Sequence, residues 1–122
     1  MDTTRKVLIL GATTNPERYA YKAAERLTNK GFPIVPVGIR KGILFGKEIS
    51  IVKTPPENID TITLYVGQKN QEEWIDFILK TNPKRVIFNP GTENKRLQEK
   101  LEKAGIQSEE ACTLVLLGLN TF

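Results

Sequence analysis

The sequence has no histidine and only one cysteine among its 122 residues. Without histidine, the chain cannot use that side chain as a general acid or base, as a metal ligand or as a phosphohistidine. A closed zinc site of cysteine and histidine ligands is excluded for the same reason. Cys112 has no partner for an internal disulfide, and the N-terminus shows no signal-peptide pattern. Both features predict a cytoplasmic protein.

Long apolar runs are also absent, since no stretch approaches the roughly 20 residues that a membrane-spanning helix needs. We therefore expect no membrane partner. The composition is otherwise typical of a globular protein, with 39% hydrophobic and 26% charged residues. A chain of this length fits one domain, which we assign to residues 1–122.

Charge is unevenly distributed along the chain, whose net charge is +4. Residues 1–53 contain ten Lys or Arg against four Asp or Glu, whereas residues 54–122 contain eight against ten. A basic N-terminal half suggests an anionic partner, although a solvated basic surface is the simpler explanation of the counts alone. The chain has no basic helix, aromatic-interleaved sheet pattern or recognisable nucleic-acid motif. We therefore do not expect nucleic acid as the partner.

Apolar and polar segments alternate in the order strand, helix, strand along the chain. The predicted strands are 5–10, 33–38, 60–66, 84–88 and 106–110. The predicted helices are 16–30, one that carries Trp74 to Leu79 with Asn70 and Glu73 as its capping pair, one that ends at Gly105, and a final turn at 114–119. A hairpin is expected within 39–58. This alternation predicts a Rossmann-like α/β fold, an open parallel sheet of about five strands in the order 3-2-1-4-5 with helices on both faces.

Four loops follow the C-terminal ends of the predicted strands, the edge at which open parallel sheets bind ligands. They comprise residues 11–16, 38–42, 67–70 and 89–94, and each contains a glycine at or just beyond the strand end. Turn formation explains any one of these glycines. The four together indicate a ligand-binding edge, with its switch point between the first and fourth strands.

The first loop has the pattern of a phosphate site at the start of a helix. Gly11 is followed by three small residues, then by Asn15 as the predicted N-cap and Pro16 as the first helical residue. The free N–H groups and the helix dipole of such a start attract phosphate, and Arg18 could reach back toward it. The later glycines of the dinucleotide-binding fingerprint are missing, so this loop alone identifies no particular cofactor.

The second loop discriminates between cofactors. An NAD site usually has an acidic residue near the end of the second strand to hold the ribose hydroxyls. Here Gly38 is followed closely by Arg40 and Lys41, with no carboxylate. Two cations suit a ribose that carries a phosphate, as in coenzyme A or NADP. Two solvated surface cations fit the sequence equally well.

The segment from Gly11 to Gly42 resembles the opening of the small stand-alone CoA-binding domain family. That family is related to the CoA-binding domain of the succinyl-CoA synthetase α subunit. The most specific part is the run Gly-Ala-x-x-x-Pro-x-Arg-Tyr at 11–19, followed by Pro36-Val37. The similarity continues through NPGTEN at 89–94 to Cys112. It implies a Rossmann-type fold and binding of coenzyme A or an acyl-CoA.

The resemblance also implies where the ligand lies. The pyrophosphate is expected over residues 11–14 with Arg18, and the adenosine near residues 37–41. The ends of the third and fourth strands are expected to line the rest of the groove. The implied cofactor-binding residues are Gly11, Ala12, Thr13, Thr14, Arg18, Tyr19, Gly38, Arg40, Lys41, Tyr65, Asn89, Pro90 and Gly91.

The leading hypothesis is a CoA-binding module that has no metal and no catalytic activity of its own. The alternative is an NADP-binding, oxidoreductase-like domain that needs a partner subunit, because the chain lacks a substrate domain and an evident proton donor. Glu93 is a candidate general base or a helix N-cap, and Cys112 is expected to be a buried apolar group. The segment 114–119, with Phe122, is interpreted as core cover or as a homodimer surface.

Overall fold

Five strands form one parallel sheet in the computed structural model, which describes all residues from 1 to 122. In chain order the strands are β1 (Val7–Leu10), β2 (Ile34–Val37), β3 (Ile43–Leu44), β4 (Lys47–Glu48), β5 (Thr61–Leu64), β6 (Arg85–Phe88) and β7 (Gln107–Glu110). The parallel sheet has the order β2-β1-β5-β6-β7, and β3 and β4 form a separate hairpin. The predicted α/β fold with a five-stranded parallel sheet is confirmed.

The order of the strands corrects the prediction. The order 3-2-1-4-5 would place the third main strand, β5, beside β2, but β5 pairs with β1. Numbered along the chain, the five main strands therefore run 2-1-3-4-5. β5 lies between β1 and β6, and all four of its residues are buried. The switch point lies between β1 and β5 rather than between the first and fourth strands.

Proline explains why β2 lies at the edge. The C=O of Pro36 accepts a hydrogen bond from the N–H of Ser50, on the side of β2 that faces away from β1. Since the N and C=O of one strand residue point the same way, the nitrogen of Pro36 also faces outward and removes no bond to β1. The limited pairing predicted for this strand from its prolines is confirmed.

The predicted hairpin is also present. Strands β3 and β4 pair antiparallel, with Ile43 opposite Glu48. The two residues between them, Phe45 and Gly46, have φ angles of 49° and 81°. Two consecutive positive φ values are typical of the tight turn whose twist suits a hairpin. Ser50, two residues after the end of β4, bridges to Val37, so the segment covers the outer edge of β2.

Four α-helices cover the sheet: α1 (Tyr19–Asn29), α2 (Ile75–Thr81), α3 (Lys95–Lys103) and α4 (Thr113–Gly118). Buried residues of α1 and α4 pack on one face against Val7 and Ile9, while α2 and α3 pack on the other face against Leu8 and Leu10. This alternation along β1 is what the two-residue period of a strand produces. No helix has the length and apolar character needed to cross a bilayer.

Helix α1 begins three residues later than predicted. Asn15 Oδ1 accepts from the N–H of Glu17 at 3.0 Å, and the C=O of Asn15 accepts from the N–H of Arg18 at 3.1 Å. Asn15 therefore stabilises a separate turn and is not the N-cap of the helix. Arg18, with φ −83° and ψ 146°, is the extended residue from which α1 starts.

The start of α2 also differs from the prediction. Two short 3₁₀ turns, at 68–70 and 72–74, precede it, and Asn70 caps nothing with its side chain. The predicted end is confirmed, because Asn82 adopts a left-handed conformation with φ 50° immediately before Pro83. Such a residue closes the last turn of a helix.

The C-terminal segment contributes to the core. Leu117 and Phe122 are buried, and the Phe122 ring lies edge-on to the Phe32 ring at 5.2 Å between centroids. Arg5 and Arg85 also lie over the Phe122 ring. Of the two interpretations of this segment, core cover holds for these residues. Val115 and Leu119 remain exposed, so a homodimer surface stays a prediction for that side of α4.

Candidate functional site

The loops that follow β1, β2 and β5 meet at the C-terminal edge of the sheet. A Cβ atom built on Gly11, whose φ is 98°, would lie 2.9 Å from the carbonyl oxygen of Tyr65. A Cβ atom on Gly38 would lie 2.6 Å from the carbonyl oxygen of Ala12. Both distances are too short for any side chain, so these glycines allow the three loops to approach one another. Gly11 and Gly38 are thus required by packing among the loops themselves.

Backbone N–H groups of the first loop are used in two ways. Those of Gly11 and Ala12 both donate to the C=O of Val37, at 2.9 and 3.0 Å. Those of Thr13 and Thr14 make no hydrogen bond within the protein, nor do the N–H groups of the first turn of α1, residues 19–21. The unpaired donors are therefore at 13–14 and at the start of α1, and Gly11 and Ala12 of the predicted 11–14 are not among them.

Three cations border these donors. The side chains of Arg18, Arg40 and Lys41 are exposed, and none of them makes an ion pair or hydrogen bond within the protein. The loop after β2 contacts the first loop, since a Cβ atom on Gly42 would lie 2.7 Å from Cγ2 of Thr14. The positive charge of Arg40 and Lys41 is thus close to the free N–H groups. The structure brings together the residues predicted to hold phosphate.

Tyr19, whose N–H is one of these free donors, also offers an aromatic side chain. Its side chain is 67% exposed in the first turn of α1, and Nζ of Lys22 lies 5.3 Å from the centre of its ring. The ring is free to contact a ligand on its other face.

Asn89 lies at the predicted edge but is only 2% exposed. Its Nδ2 donates to Oγ1 of Thr63 at 2.8 Å and to the C=O of Leu64 at 2.9 Å. Its Oδ1 accepts from the N–H of Thr113 at 2.9 Å. Asn89 therefore joins β5, β6 and α4 beneath the edge, whereas the neighbouring Pro90 and Gly91 are exposed. All polar atoms of this amide are used inside the protein.

Tyr65 is half-buried at the end of β5. Burial raises the pKa of its phenol to about 12, and the nearby hydroxyls of Thr63 and Thr113 oppose this rise only partly. The phenol is therefore protonated at neutral pH, where it can donate a hydrogen bond but cannot serve as a base. Cys112 lies close to Tyr65 and is half-buried rather than fully buried as expected.

Glu93 has one clear role in the structure. Its Oε1 accepts from the N–H of Gly91 at 2.9 Å. The interpretation of Glu93 as a helix N-cap is wrong, because Asn94 caps α3 by accepting from the N–H of Leu97 at 3.3 Å. The Glu93 carboxylate therefore bonds to Gly91 within its own loop and does not cap α3.

Sequence reasoning missed Gln71, whose side chain is completely buried between the loops after β5 and β6. The sequence places it beside Asn70, at the predicted start of a helix. No local signal marks it, because glutamine is mostly an exposed residue and its partners lie far along the chain.

A groove of about 950 Å³ lies at the opposite, N-terminal edge of the sheet. Its lining mixes cations such as Lys6 and Lys84 with the carboxylates of Glu57 and Asp60. The ends of α1 and α2 that face this edge are their C-termini, which repel anions. The C-terminal edge is the better candidate for an anionic ligand.

Comparison with known families identifies the family of the chain. Residues 5–118 match a family model described as a CoA binding domain. The chain belongs to the CoA binding domain family. The resemblance noted from the sequence is therefore confirmed. No match is found among curated proteins.

Solved structures place this CoA binding domain among similar folds. A protein whose crystal structure is described as that of an uncharacterized protein shares 49% identity over 99% of this chain and 100% of its own, with a TM-score of 0.96. A conserved hypothetical protein from Pyrococcus furiosus shares 28% identity over 91% of this chain and 97% of its own, with a TM-score of 0.81. A dinucleotide-forming acetyl-coenzyme A synthetase from Ca. Korarchaeum cryptofilum shares 18% identity over 84% of this chain and 25% of its own, with a TM-score of 0.69. That last similarity concerns the fold alone.

Proposed function

We propose that this domain binds coenzyme A or an acyl-CoA across the C-terminal edge of its sheet, without catalytic activity of its own. The observation that supports it most directly is the pair of free N–H groups at Thr13 and Thr14, bordered by three cations that have no partner in the protein. A diphosphate needs such donors and such charge together. Membership of the CoA binding domain family supports the identity of the ligand.

The adenosine end of the ligand is proposed to lie over the loop after β2. Arg40 and Lys41 are available there for the 3′-phosphate that distinguishes CoA from most adenine nucleotides. Ile39, beside them, is 77% exposed and offers an apolar surface to the adenine base. The diphosphate then lies at Thr13 and Thr14, with Arg18 reaching it from the adjacent turn.

The pantetheine arm is proposed to cross the ends of β5 and β6. Tyr65 supplies a protonated phenol that can donate to an amide carbonyl of the arm. Pro90 and Gly91 form the exposed wall on the other side. Asn89 contributes by holding β5, β6 and α4 in place beneath the arm, and not by contact with the ligand.

The absence of catalysis is proposed from the groups at this edge. The chain has no histidine. The phenol of Tyr65 keeps its proton at neutral pH, and the carboxylate of Glu93 accepts a hydrogen bond from Gly91. None of these groups is an activated base or nucleophile.

Titration calorimetry with CoA, acetyl-CoA, NADP and NAD at moderate salt tests the proposal. CoA or acetyl-CoA should bind most tightly. A preference for NADP would instead favour the oxidoreductase-like alternative, since Arg40 and Lys41 suit a 2′-phosphate equally well. Absence of binding by all four ligands would leave the family fold without the proposed function.

A further inference from the structure

Gln71 lies between the loop after β5 and the loop after β6, with 0% of its surface exposed. Its Nε2 donates to the C=O of Val66 at 2.8 Å and to the C=O of Thr92 at 2.7 Å. Its Oε1 accepts from Nδ2 of Asn94 at 2.8 Å. Both donors and the acceptor of this amide are therefore in use, as burial requires.

Few other contacts join the two loops above the sheet. No backbone hydrogen bond connects residues 65–71 with residues 89–94. At the base, Asn89 bonds to the end of β5. At the surface, Arg96 pairs with Glu72 at 3.0 Å, but both side chains are about two-thirds exposed, and such pairs contribute little. Gln71 therefore joins the two loops by buried hydrogen bonds, above Asn89 and below the surface pair. We call its bonds to Val66, Thr92 and Asn94 the tie.

We propose that Gln71 is a positioning residue that holds these two loops at the spacing which the ligand groove requires. The inference rests on the proposed function, because the same loops carry Tyr65, Pro90 and Gly91 along the proposed path of the pantetheine arm. Asn94 extends the tie to α3, since its Oδ1 caps that helix at the N–H of Leu97. Gln71 acts through the loops and not by contact with the ligand.

The substitution Gln71→Glu tests this with almost no change of shape. A neutral carboxyl group can still donate to one of the two carbonyl oxygens and accept from Asn94. An ionised one places negative charge against the C=O groups of Val66 and Thr92. Burial and these carbonyls should hold the pKa of the introduced carboxyl above its ordinary value of about 4.3. The tie should therefore weaken as pH rises.

Few other groups of the protein would obscure this titration. The chain has no histidine, so few of its own groups titrate between about pH 5 and about pH 8. The charged side chains around Gln71 on the two loops and on α3 are all exposed; they are Lys69, Glu72, Glu73, Glu93, Lys95 and Arg96. Ionisation of the 3′-phosphate of CoA affects every variant alike, so affinities are compared with wild type at each pH.

The readout is CoA affinity by titration calorimetry. Relative to wild type, Gln71→Glu should lose about tenfold or more in affinity between about pH 5 and about pH 8, the size expected for unsatisfied buried polar groups. Gln68→Glu makes the same charge change at an exposed position of the same loop and should show a constant ratio. Leu27→Ala removes buried contacts of α1 far from this edge, and should lower stability while leaving affinity unchanged. A constant ratio for Gln71→Glu would overturn the proposal.

A second variant covers the case in which Gln71→Glu fails to fold. Asn94→Ser keeps a good N-cap for α3 but removes the donor to Gln71. It should weaken CoA binding about threefold, because only one hydrogen bond of the tie is lost. Unchanged affinity in this variant would also contradict the role of Gln71.

Amide hydrogen exchange without ligand separates this proposal from the proposed function. Gln71→Glu should exchange faster than wild type at about pH 8 in residues 66–71 and 91–94, and should be unchanged elsewhere. If wild type binds no CoA, the proposed function fails while the exchange data still decide whether Gln71 ties the loops. Equal exchange in both proteins would show that it does not.

Discussion

Backbone N–H groups of the first loop are chemically alike but not equally available. Gly11 and Ala12 donate to Val37, whereas Thr13 and Thr14 have no acceptor in the protein. A phosphate oxygen would compete with a strand carbonyl at the first two residues and with no protein group at the next two. The proposal therefore places the diphosphate at Thr13 and Thr14.

Replacing both Arg40 and Lys41 by serine should weaken CoA binding about tenfold or more. Charge-assisted hydrogen bonds contribute about 1.5–3 kcal/mol, and the variant loses those to the 3′-phosphate. Dephospho-CoA lacks that phosphate, so its affinity should change much less. Calorimetry with both ligands on both proteins measures the difference. The control Lys47→Ser, an exposed cation on β4, should bind both ligands as wild type does.

Tyr65 should make the stability of the protein depend on pH in the alkaline range. Burial raises the pKa of its phenol to about 12, above the value of about 10 expected in the unfolded chain. The native state thus binds this proton more tightly, and the stabilisation is complete below about pH 10 and lost as pH rises through about 12.

In the variant Tyr65→Phe, the free energy of unfolding should therefore decrease less than in wild type between about pH 10 and about pH 12. Urea unfolding at a series of pH values measures it, with Tyr19→Phe as an exposed control. Curves of equal slope for wild type and Tyr65→Phe would contradict the role of burial.

Local sequence patterns predict which helices and strands this fold contains, but they predict the first residues of the helices less accurately. All five main strands, the hairpin and the four helices were expected near their observed positions, because buried strands and amphipathic helices have distinct apolar periods. The starts of α1 and α2 were wrong, since Asn15 closes a turn of its own and two 3₁₀ turns come before α2. A capping residue can satisfy more than one local geometry.

The contact between the loops after β1 and β2 leads to a prediction at this scale. Gly38→Ala would place Cβ 2.6 Å from the carbonyl oxygen of Ala12, so the loops must separate. We expect a loss of about 1–3 kcal/mol in the free energy of unfolding, together with weaker CoA binding. Urea unfolding and calorimetry measure the two effects.

The matched control is Gly118→Ala in α4. A Cβ atom there meets nothing within 4 Å. Because glycine within a helix is less favourable than alanine by about 0.5–1 kcal/mol, this variant should be as stable as wild type or slightly more stable. Equal behaviour of the two alanine variants would contradict the tight loop contact.

At the scale of the whole molecule, the C-terminal segment runs across the sheet from one edge to the other. Thr113 bonds to Asn89 at the C-terminal edge of the sheet, and nine residues later Phe122 is buried against Phe32 near the opposite edge. Between them α4 packs on α1 within one apolar cluster. This segment therefore contacts both edges of the sheet.

Phe122→Ala should lower the free energy of unfolding by about 3 kcal/mol or more, the usual cost of removing a buried phenylalanine side chain. Thermal or urea unfolding measures it. Leu119→Ala changes a side chain that is 67% exposed on the same segment and should alter stability by less than about 0.5 kcal/mol. Sedimentation of the Leu119 variant and of wild type also tests the predicted homodimer surface.

Local sequence patterns were sufficient for the α/β class and the family, because apolar periods and loop motifs each lie within a few residues of the chain, and the same patterns predict a ligand site at the C-terminal edge. Strand order was decided by burial of β5 and by the outward nitrogen of Pro36, which depend on neighbouring strands. Tertiary structure alone showed which loop amides are free and that Asn89 and Gln71 are buried. Their partners Thr113 and Thr92 lie 24 and 21 residues away along the chain, so no local pattern could reveal these bonds.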